Sequence, residues 1–162
     1  MKILVTGSRG FLAKNLIIKL RENGYTDILS YNRSHTLKTL NKFIEECDII
    51  FHLAGKNRSK NNKEFEEVNY ELTKYICDRV VIAQKRIPII YSSSILASKG
   101  NYYGRSKKKA EKYLLKYSNI NKSKTYIYRL PNIFGKWAKP NYNSVVATFC
   151  HNIANNKKID IY

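Results

Sequence analysis

The sequence predicts a doubly wound α/β domain with a parallel sheet in the strand order 2-1-3-4-5. Short apolar segments alternate along the chain with longer segments whose apolar residues recur at helical spacing. The first apolar segment, Lys2 to Thr6, is followed by Gly7 and Gly10, and then by Ala13, which is small enough to let a helix pack closely on a strand. This spacing is typical of a strand-to-helix turn that binds a dinucleotide.

The composition fits one domain over residues 1–162, with an unusual charge. Thirty basic residues stand against 12 acidic ones, a formal net charge of +18. Such a charge suits nucleic acid, an anionic membrane or a ligand with several phosphates. Because the lysines are spread over the whole chain, mostly on the polar faces of predicted helices, we interpret the charge as a coding bias. Nucleic acid is therefore not expected as a partner.

The three cysteines, Cys47, Cys77 and Cys150, are scattered and lack metal-ligand spacing. We expect them to be reduced thiols, and we expect no metal site. No apolar segment approaches the length of a membrane span, and no cleavable leader is recognisable. The sequence therefore predicts a cytoplasmic protein with no membrane partner.

The turn after the first strand is the predicted cofactor site. Gly7 allows a tight reversal of the chain, and Gly10 allows the backbone to approach a pyrophosphate. A helix that begins at about Phe11 would direct its first backbone N–H groups, including that of Leu12, toward the phosphates. Arg9 could add a cation there. An ordinary strand-to-helix turn is the alternative interpretation.

The second strand, Asp27 to Tyr31, follows Gly24, which is expected to end the first helix. Dinucleotide folds that select NAD usually place an acidic residue just after this strand, whereas here the chain has Asn32 and Arg33. An arginine suits a 2′-phosphate, so NADP is the expected cofactor and NAD the alternative. A solvated surface arginine is the other interpretation of Arg33.

A helix from Thr36 to Glu46 precedes the third strand, Asp48 to Leu53. That strand ends at Ala54 and Gly55, and small residues at this edge of the sheet are where a cofactor would pass. We expect His52 to satisfy a local hydrogen bond and not to act in catalysis.

One long helix is predicted within Asn61 to Arg86. Asn69 lies on its apolar stripe, and a buried carboxamide needs partners. We therefore expect Asn69 to hold the backbone of a neighbouring strand end.

The fourth strand, Ile87 to Tyr91, places Ser92 to Ser94 at the same edge, where three hydroxyls indicate either turn chemistry or a reaction site. Tyr103 and Lys107 follow at the start of a helix that reaches about Ser118, and their spacing puts both on its core-facing side. A tyrosine moves a proton near neutral pH only if its phenolate is stabilised, and an ammonium group nearby does this.

A Tyr–Lys pair with this spacing also arises by chance in a chain with 13 tyrosines and many lysines. Tyr70 and Lys74 are such a pair within the long helix. We interpret that pair as surface residues.

A fifth strand is predicted from Lys124 to Leu130 and a last helix from Ser144 to Ala154, with Asn141 or Asn143 as its cap. The residues from Lys158 to Tyr162 begin what is predicted to be a sixth strand.

Five motifs in order, VTGSRGFLA, DIIFHLAG, SSS, YYGRSK and RLPNIFG, resemble the extended short-chain dehydrogenase/reductases, the NAD-dependent epimerase/dehydratase family. The resemblance covers essentially all 162 residues. Within the family, HLAGKNR, SSSILA and the segment from YRLPNIFG onward are most similar to the reductases of capsular polysaccharide synthesis. The resemblance implies a Rossmann fold and NADPH-dependent reduction of the C4 ketone of a UDP-linked deoxy-amino sugar, in capsule or O-antigen synthesis.

The resemblance also implies roles for individual residues. Tyr103 would be the general acid, Lys107 would hold the nicotinamide ribose and lower the pKa of the tyrosine, and Ser94 would bind the substrate carbonyl. The implied cofactor-binding residues are Gly7, Arg9, Gly10, Phe11, Leu12, Arg33, Leu53, Ala54, Gly55, Asn69, Tyr103, Lys107 and Pro131. The implied substrate-binding residues are Asn57, Arg58, Ser94, Asn132, Lys139, Asn141 and Asn143.

Two departures from the family limit what is expected. Ile95 and Leu96 stand where a 4,6-dehydratase has its Asp–Glu pair, so dehydration is not expected. The chain ends at Tyr162, before the family's substrate domain, so we expect an N-terminal fragment of a protein that forms a homodimer at full length. A nucleotide-sugar 4-epimerase and a catalytically silent dinucleotide-binding fragment remain as alternatives.

Overall fold

The computed structural model describes residues 1–159 and 161, and the chain divides into two compact units, Met1–Arg129 and Leu130–Tyr162. A single domain over the whole chain stays a prediction. In the described part of the chain, none of the helices is long and apolar enough to cross a membrane.

The first unit alternates strands and helices as predicted. Its elements are β1 (Ile3–Thr6), α1 (Phe11–Glu22), β2 (Ile28–Tyr31), α2 (Leu37–Glu46), β3 (Ile49–His52), α3 (Lys63–Phe65), a π-helical segment (Glu66–Glu71), α4 (Leu72–Ile82), β4 (Ile89–Ser94), a 3₁₀ turn (Ile95–Ser98) and α5 (Tyr102–Asn121). The last strand, β5 (Thr125–Leu130), ends at the boundary with the second unit.

The five strands form one sheet in the order β2-β1-β3-β4-β5, which confirms the predicted doubly wound fold. Ile3 of β1 is in register with Ile28 on one side and Ile49 on the other, both in parallel pairs. β4 pairs with β3 in parallel from Ile89 opposite Ile50. All the strands therefore deliver their carboxyl ends to the same edge of the sheet.

The core lies on both faces of the sheet because side chains of β1 alternate between them. Leu4 belongs to the larger cluster, with side chains of α2, α4 and α5. Ile3 and Val5 face the other way and pack with Ala13 of α1. All four residues of β1, including Thr6, are fully buried, as expected of a central parallel strand. The glycine turn is thus attached to the most buried of the five strands.

Two elements differ from the predictions in ways that affect the site. β4 continues to Ser94, so Ser92 to Ser94 are strand residues and alternate in direction instead of forming a turn. The long helix contains the π-helical segment Glu66–Glu71, which carries Asn69. The spacing of apolar residues does not distinguish a π-helical turn from a regular α-helix. Such π-helical segments are frequent at functional sites.

The second unit contains α6 (Val145–Ala154). Ser144 caps this helix, since its Oγ accepts the backbone N–H of Ala147 at 3.3 Å, so the predicted cap at Asn141 or Asn143 is wrong. Asn141 instead has a left-handed φ of +55°. The predicted sixth strand includes Asp160 and Tyr162, which lie outside the described residues.

Candidate active site

The turn between β1 and α1 packs directly on the end of β3. Gly7 has a φ of +69°, and a Cβ at this position would lie 2.7 Å from the backbone nitrogen of Ala54. The backbone N–H of Ser8 donates to Tyr31 O at 3.0 Å, and that of Gly10 donates to Gly7 O at 2.8 Å. Because both the left-handed conformation and the close approach exclude a side chain, only glycine fits at position 7.

The start of α1 is suited to an anion. Gly10 is the N-cap and has no side chain with which to bond the first N–H groups of the helix, and the first turn holds no acidic side chain. Arg9 is exposed in the same turn. This set of donors fits the diphosphate of a dinucleotide.

The end of β2 combines a fixed asparagine with an exposed arginine. Asn32 Oδ1 accepts hydrogen bonds from the backbone N–H of Ser34 at 3.0 Å and from its hydroxyl at 2.7 Å. Asn32 Nδ2 also reaches Ser8 Oγ at 3.5 Å, which links this turn to the glycine turn. Arg33 is exposed beside them, at the place where the sequence predicts a contact to a 2′-phosphate. That contact stays a prediction.

His52, at the end of β3, belongs to a chain of buried hydrogen bonds. The hydroxyl of Thr73 donates to Asn69 O at 2.7 Å, so it accepts from His52 Nε2 at 2.9 Å. His52 Nδ1 is then the acceptor for the Thr6 hydroxyl at 2.7 Å, and the oxygen of that hydroxyl accepts the N–H of Ala54 at 3.2 Å. The direction of each bond therefore assigns the tautomer of the imidazole.

Burial, with the positive charge of Lys107 as a smaller cause, lowers the pKa of His52 to about 3. The imidazole is therefore neutral at physiological pH. It is fully buried and stacks on Tyr91, with the ring centroids 5.4 Å apart. The predicted structural role of His52 is confirmed, since it joins β1 and β3 to the helix that carries Asn69.

Asn69 holds the backbone that follows β3, as predicted. Its Oδ1 accepts the N–H of Lys56 at 2.8 Å, and its Nδ2 donates to Lys56 O at 2.9 Å and to Ser106 Oγ at 3.0 Å. A Cβ on Gly55 would lie 3.1 Å from Lys107 Nζ and 3.3 Å from Asn69 Oδ1. The segment after β3 is thus held directly against the predicted catalytic lysine, while a contact between Asn69 and a cofactor stays a prediction.

The three serines of β4 have different partners because they alternate along a strand. Ser92 contributes its backbone oxygen, which accepts from Lys107 Nζ at 2.8 Å. Ser93 is buried, and its hydroxyl donates to Glu111 Oε1 at 2.6 Å. Ser94, at the end of the strand, forms a side-chain hydrogen bond with Tyr103. Only Ser94 therefore presents its hydroxyl to the predicted proton donor.

The tight turn between β4 and α5 brings Tyr103 to Ser94. The Oγ of Ser94 accepts the N–H of Leu96 at 3.1 Å and begins the 3₁₀ turn. Asn101 caps α5, accepting the N–H of Gly104 at 2.6 Å. A Cβ on Gly104 would lie 2.1 Å from Leu96 O, so the helix can start this close to the turn only with glycine there.

Tyr103 is half-buried and packs edge-on against Phe65, with the ring centroids 6.1 Å apart. Burial raises the pKa of Tyr103, and the hydrogen bond with Ser94 opposes that shift. The net direction is opposite to the expected lowering by Lys107. The Lys107 ammonium donates to Ser92 O and lies 4.7 Å from the centroid of the ring of Tyr91, a residue of β4. The phenol is accordingly protonated at neutral pH, as an acid must be.

Lys107 is nearly fully buried, and this burial lowers its pKa to about 8, against the opposing effect of Glu111. Glu111 lies one turn further along α5 and forms a two-bond ion pair with Arg129, with Nε to Oε1 at 2.9 Å and Nη2 to Oε2 at 2.6 Å. Burial acts to raise the pKa of Glu111, but the bonds from Arg129 and Ser93 outweigh it and the pKa is lowered. Sequence reasoning missed this carboxylate, although its helical spacing from Tyr103 and Lys107 was a signal.

The predicted substrate residues fall into two places. Asn57 and Arg58 line a cavity of about 780 Å³ after β3, whose other lining residues are Lys56, Ser59, Lys60, Asn61, Glu64 and Phe65. Asn132, Lys139, Asn141 and Asn143 lie in the second unit, as does Pro131 of the predicted cofactor set. Their roles stay predictions. Among residues 1–159 and 161, no group of three or more His, Cys, Asp or Glu side chains could hold a metal ion.

The second Tyr–Lys pair lies away from this arrangement. Tyr70 is half-buried and packs edge-on against Tyr113 of α5 at 6.1 Å, with Lys109 Nζ 5.6 Å from its ring centroid. Lys74 lines a separate cavity of about 370 Å³ that also includes Leu37 of α2.

A glycine turn on a parallel sheet, with Ser, Tyr and Lys grouped at the same edge, is the arrangement of the short-chain dehydrogenase/reductase class. The chain belongs to the NAD dependent epimerase/dehydratase family, whose pattern matches residues 3–162. The family membership predicted from the sequence is therefore confirmed.

Two relatives are similar over nearly the whole of this chain. It is 45% identical over 161 residues to the UDP-2-acetamido-2,6-beta-L-arabino-hexul-4-ose reductase of Pseudomonas aeruginosa, covering 99% of this chain and 43% of that protein. The crystal structure of the capsular polysaccharide assembling protein CapF from Staphylococcus aureus is 41% identical, with a TM-score of 0.85. That match covers 100% of this chain and 44% of CapF, so the chain spans less than half the length of either relative.

A more distant structure shows the same fold. The UDP-glucuronic acid 4-epimerase from Bacillus cereus, in complex with NAD, is 16% identical with a TM-score of 0.84. The match covers 97% of this chain and 63% of the epimerase.

Proposed function

We propose that this chain is the cofactor-binding and proton-donating part of an NADP-dependent reductase that acts on the C4 ketone of a UDP-linked deoxy-amino sugar in capsule or O-antigen synthesis. The observation that carries the proposal is the grouping of Ser94, Tyr103 and Lys107 at the end of β4, next to Gly55. The 45% identity to the P. aeruginosa reductase supports the substrate class. The name of CapF supports a role in capsule assembly.

Reduction of a ketone requires a hydride on carbon and a proton on oxygen, and a bound NADPH supplies the hydride. Tyr103 donates the proton, since the raised pKa of its phenol keeps it protonated until a carbonyl oxygen gains charge. Ser94 bonds the phenol in the absence of substrate, and its hydroxyl can turn to donate its one hydrogen to the carbonyl oxygen of the substrate instead. Lys107, whose ammonium group is held on Ser92 O beside Ser94, is the cation proposed to stabilise the phenolate that remains.

The cofactor side of the proposal rests on backbone and charge. The uncapped start of α1 and the exposed Arg9 suit the diphosphate, and Gly7 lets the turn lie close to the end of β3. Arg33 is exposed after β2 and suits a 2′-phosphate, which favours NADP over NAD.

The substrate side rests on the cavity after β3. Its three basic side chains, Lys56, Arg58 and Lys60, suit the diphosphate of a UDP-sugar, and Asn57 adds an amide. We further propose a homodimer of the full-length protein and a cytoplasmic location.

A chimera tests the function directly. This chain would replace the region that it matches in the P. aeruginosa reductase, and the purified chimera would be given NADPH and that reductase's UDP-linked 4-keto sugar. We expect one NADPH consumed for each sugar reduced. Interconversion of sugars at C4 without net loss of NADPH would indicate the epimerase alternative, and binding of NADPH with no turnover would indicate a catalytically silent domain.

A further inference from the structure

A bridge of three side chains, centred on the buried carboxylate of Glu111, joins β4, α5 and β5. Ser93 donates to Glu111 Oε1 at 2.6 Å, and Arg129 donates to both carboxylate oxygens of Glu111. The Glu111 side chain is only 6% exposed, whereas that of Arg129 is 46% exposed. A carboxylate this buried is costly unless its charge is compensated, and here Ser93 of β4 and Arg129 of β5 donate the compensating hydrogen bonds.

The bridge is adjacent to both functional groups. Ser93 lies between Ser92 and Ser94 on β4. The backbone oxygen of Ser92 accepts from the Lys107 ammonium, and the hydroxyl of Ser94 forms a hydrogen bond with Tyr103. Glu111 follows Lys107 by one turn of α5, so the two side chains share a helix face. The bond from Ser93 therefore ties the strand that presents Ser92 and Ser94 to the helix that presents the tyrosine and the lysine.

We propose that Glu111, held by Arg129, is a positioning residue that fixes the end of β4 against α5 and places a negative charge one helical turn from Lys107. Its effect on catalysis rests on the proposed function. Its effect on Lys107 can be measured without any cofactor or substrate.

The charged and titratable groups around Lys107 explain why one carboxylate has this effect. β3 contributes the neutral His52, and β4 contributes the ring of Tyr91. On α5 itself, Tyr103 is a protonated phenol and Glu111 is an anion. Burial favours the neutral amine of Lys107, and the Glu111 charge is what opposes it.

Arg129 moderates that charge from β5, and Lys108 adds a smaller positive contribution from α5. Replacing Glu111 by Gln keeps the shape of the side chain but removes the anion, so the pKa of Lys107 should fall. Replacing Arg129 by Met leaves the anion in place with less compensation, so the pKa of Lys107 should rise. A purely structural bridge would give both variants the same defect, because each loses the same ion pair.

The test follows Lys107 itself by NMR in this 162-residue chain. Its Cε–Hε resonance is identified as the one missing from Lys107→Met, and is titrated from neutral to alkaline pH. We expect a midpoint near 8 in the unchanged protein. Glu111→Gln should lower it by about one pH unit, and Arg129→Met should raise it, on the scale of nearby opposite charges.

Shifts in opposite directions support the proposal. An unchanged midpoint in Glu111→Gln, or shifts in the same direction, would overturn it. If Glu111→Gln does not fold, Arg129→Met decides alone, and anything but an upward shift counts against the proposal. If neither single variant folds, the double variant, which carries no unpaired charge at the bridge, must show a lowered midpoint.

The catalytic consequence is measured separately in the chimera with the P. aeruginosa reductase. The alkaline limb of kcat/KM should move down in Glu111→Gln and up in Arg129→Met, following the Lys107 midpoint. If the NMR shifts occur but the chimera does not reduce the sugar, the proposed function fails while the electrostatic role of Glu111 stands. If the chimera is active and the NMR shifts are absent, the positioning role fails while the function stands.

Discussion

Tyr103→Phe is the substitution that most directly tests the proposed chemistry. The change removes one hydroxyl and leaves the aromatic ring, which packs edge-on against Phe65. The hydroxyl that is lost forms the hydrogen bond with Ser94. The predicted cofactor-binding residues from Gly7 to Gly55 are unchanged.

The expected magnitudes separate catalysis from stability. A single hydrogen bond contributes a net of about 0.5–1.5 kcal/mol, and loss of a half-buried hydroxyl also removes its desolvation cost, so unfolding free energy should change by about 1 kcal/mol or less. Positioned proton transfer contributes about 10²–10⁴-fold in rate, equivalent to roughly 3–5 kcal/mol of barrier. The rate of Tyr103→Phe should therefore fall far more than its stability.

The assay uses the chimera with the P. aeruginosa reductase, following NADPH consumption, with urea unfolding of the same proteins alongside. We expect kcat to fall by about 10²–10⁴-fold while the Kd for NADPH stays within about twofold, because the proton is needed only in the transition state. Equal losses in kcat and in cofactor affinity would instead indicate that the hydroxyl holds the cofactor.

Tyr70→Phe is the matched control, since Tyr70 and Lys74 have the same spacing as Tyr103 and Lys107. Tyr70 lies in the contact with Tyr113 and Lys109, so loss of its hydroxyl should leave kcat nearly unchanged. If Tyr70→Phe abolishes reduction and Tyr103→Phe does not, the active site has been assigned to the wrong helix.

Three further predictions follow from the cofactor turn and the length of the chain. Fluorescence titration of this chain should show NADPH binding more tightly than NADH by about 10- to 100-fold, as expected of charge-assisted contacts of roughly 1.5–3 kcal/mol, and Arg33→Asp should erase the difference; equal affinities in the unchanged chain would contradict the assignment. Gly7→Ala should destabilise the fold by about 2–4 kcal/mol in urea unfolding, through both its left-handed φ and the contact with Ala54, whereas Gly24→Ala, with a φ of +83° but open space around it, should cost about 1–2 kcal/mol; equal costs would show that the close approach is unimportant. Calorimetry should detect dinucleotide but little UDP-sugar binding, because the chain spans less than half of its relatives and binding energy from the remote uridine positions the sugar; tight binding would show the pocket to be complete in this chain.

Local signals explain why so much of the site could be predicted. Position 7 needs a left-handed backbone, and at position 55 a side chain would meet Lys107. Glycine satisfies both requirements, so each is visible in the sequence as a glycine. Helical spacing predicted that Tyr103 and Lys107 share one face of α5, but the same spacing fits Tyr70 and Lys74, so it was the resemblance to the family that singled out Tyr103 and Lys107. The π-helical turn at Asn69 could not be predicted, because its apolar stripe resembles that of a regular helix.

The serines show where local reasoning stops. Local sequence reasoning reads SSS as a turn or a reaction site, and only the resemblance to the family singled out Ser94. In the structure, strand alternation and the packing of α5 determine a different partner for each serine. The backbone oxygen of Ser92 accepts from Lys107, the hydroxyl of Ser93 donates to Glu111, and Ser94 forms a hydrogen bond with Tyr103. Glu111 on α5 was missed because its partner Arg129 lies on a different element, β5, 18 residues further along the chain.

The sequence by itself determined the order of strands and helices, the glycine turn after β1, and the elements that carry Ser94, Tyr103 and Lys107. These features depend on residue spacing and backbone conformation within short segments. Only the tertiary structure decided which buried polar groups are partners, that His52 is a neutral link between strands, and that the Glu111–Arg129 pair lies beneath Lys107. Those pairings join residues far apart in the chain, and they exist only where packing of helices on the sheet excludes water and brings the groups within hydrogen-bonding distance.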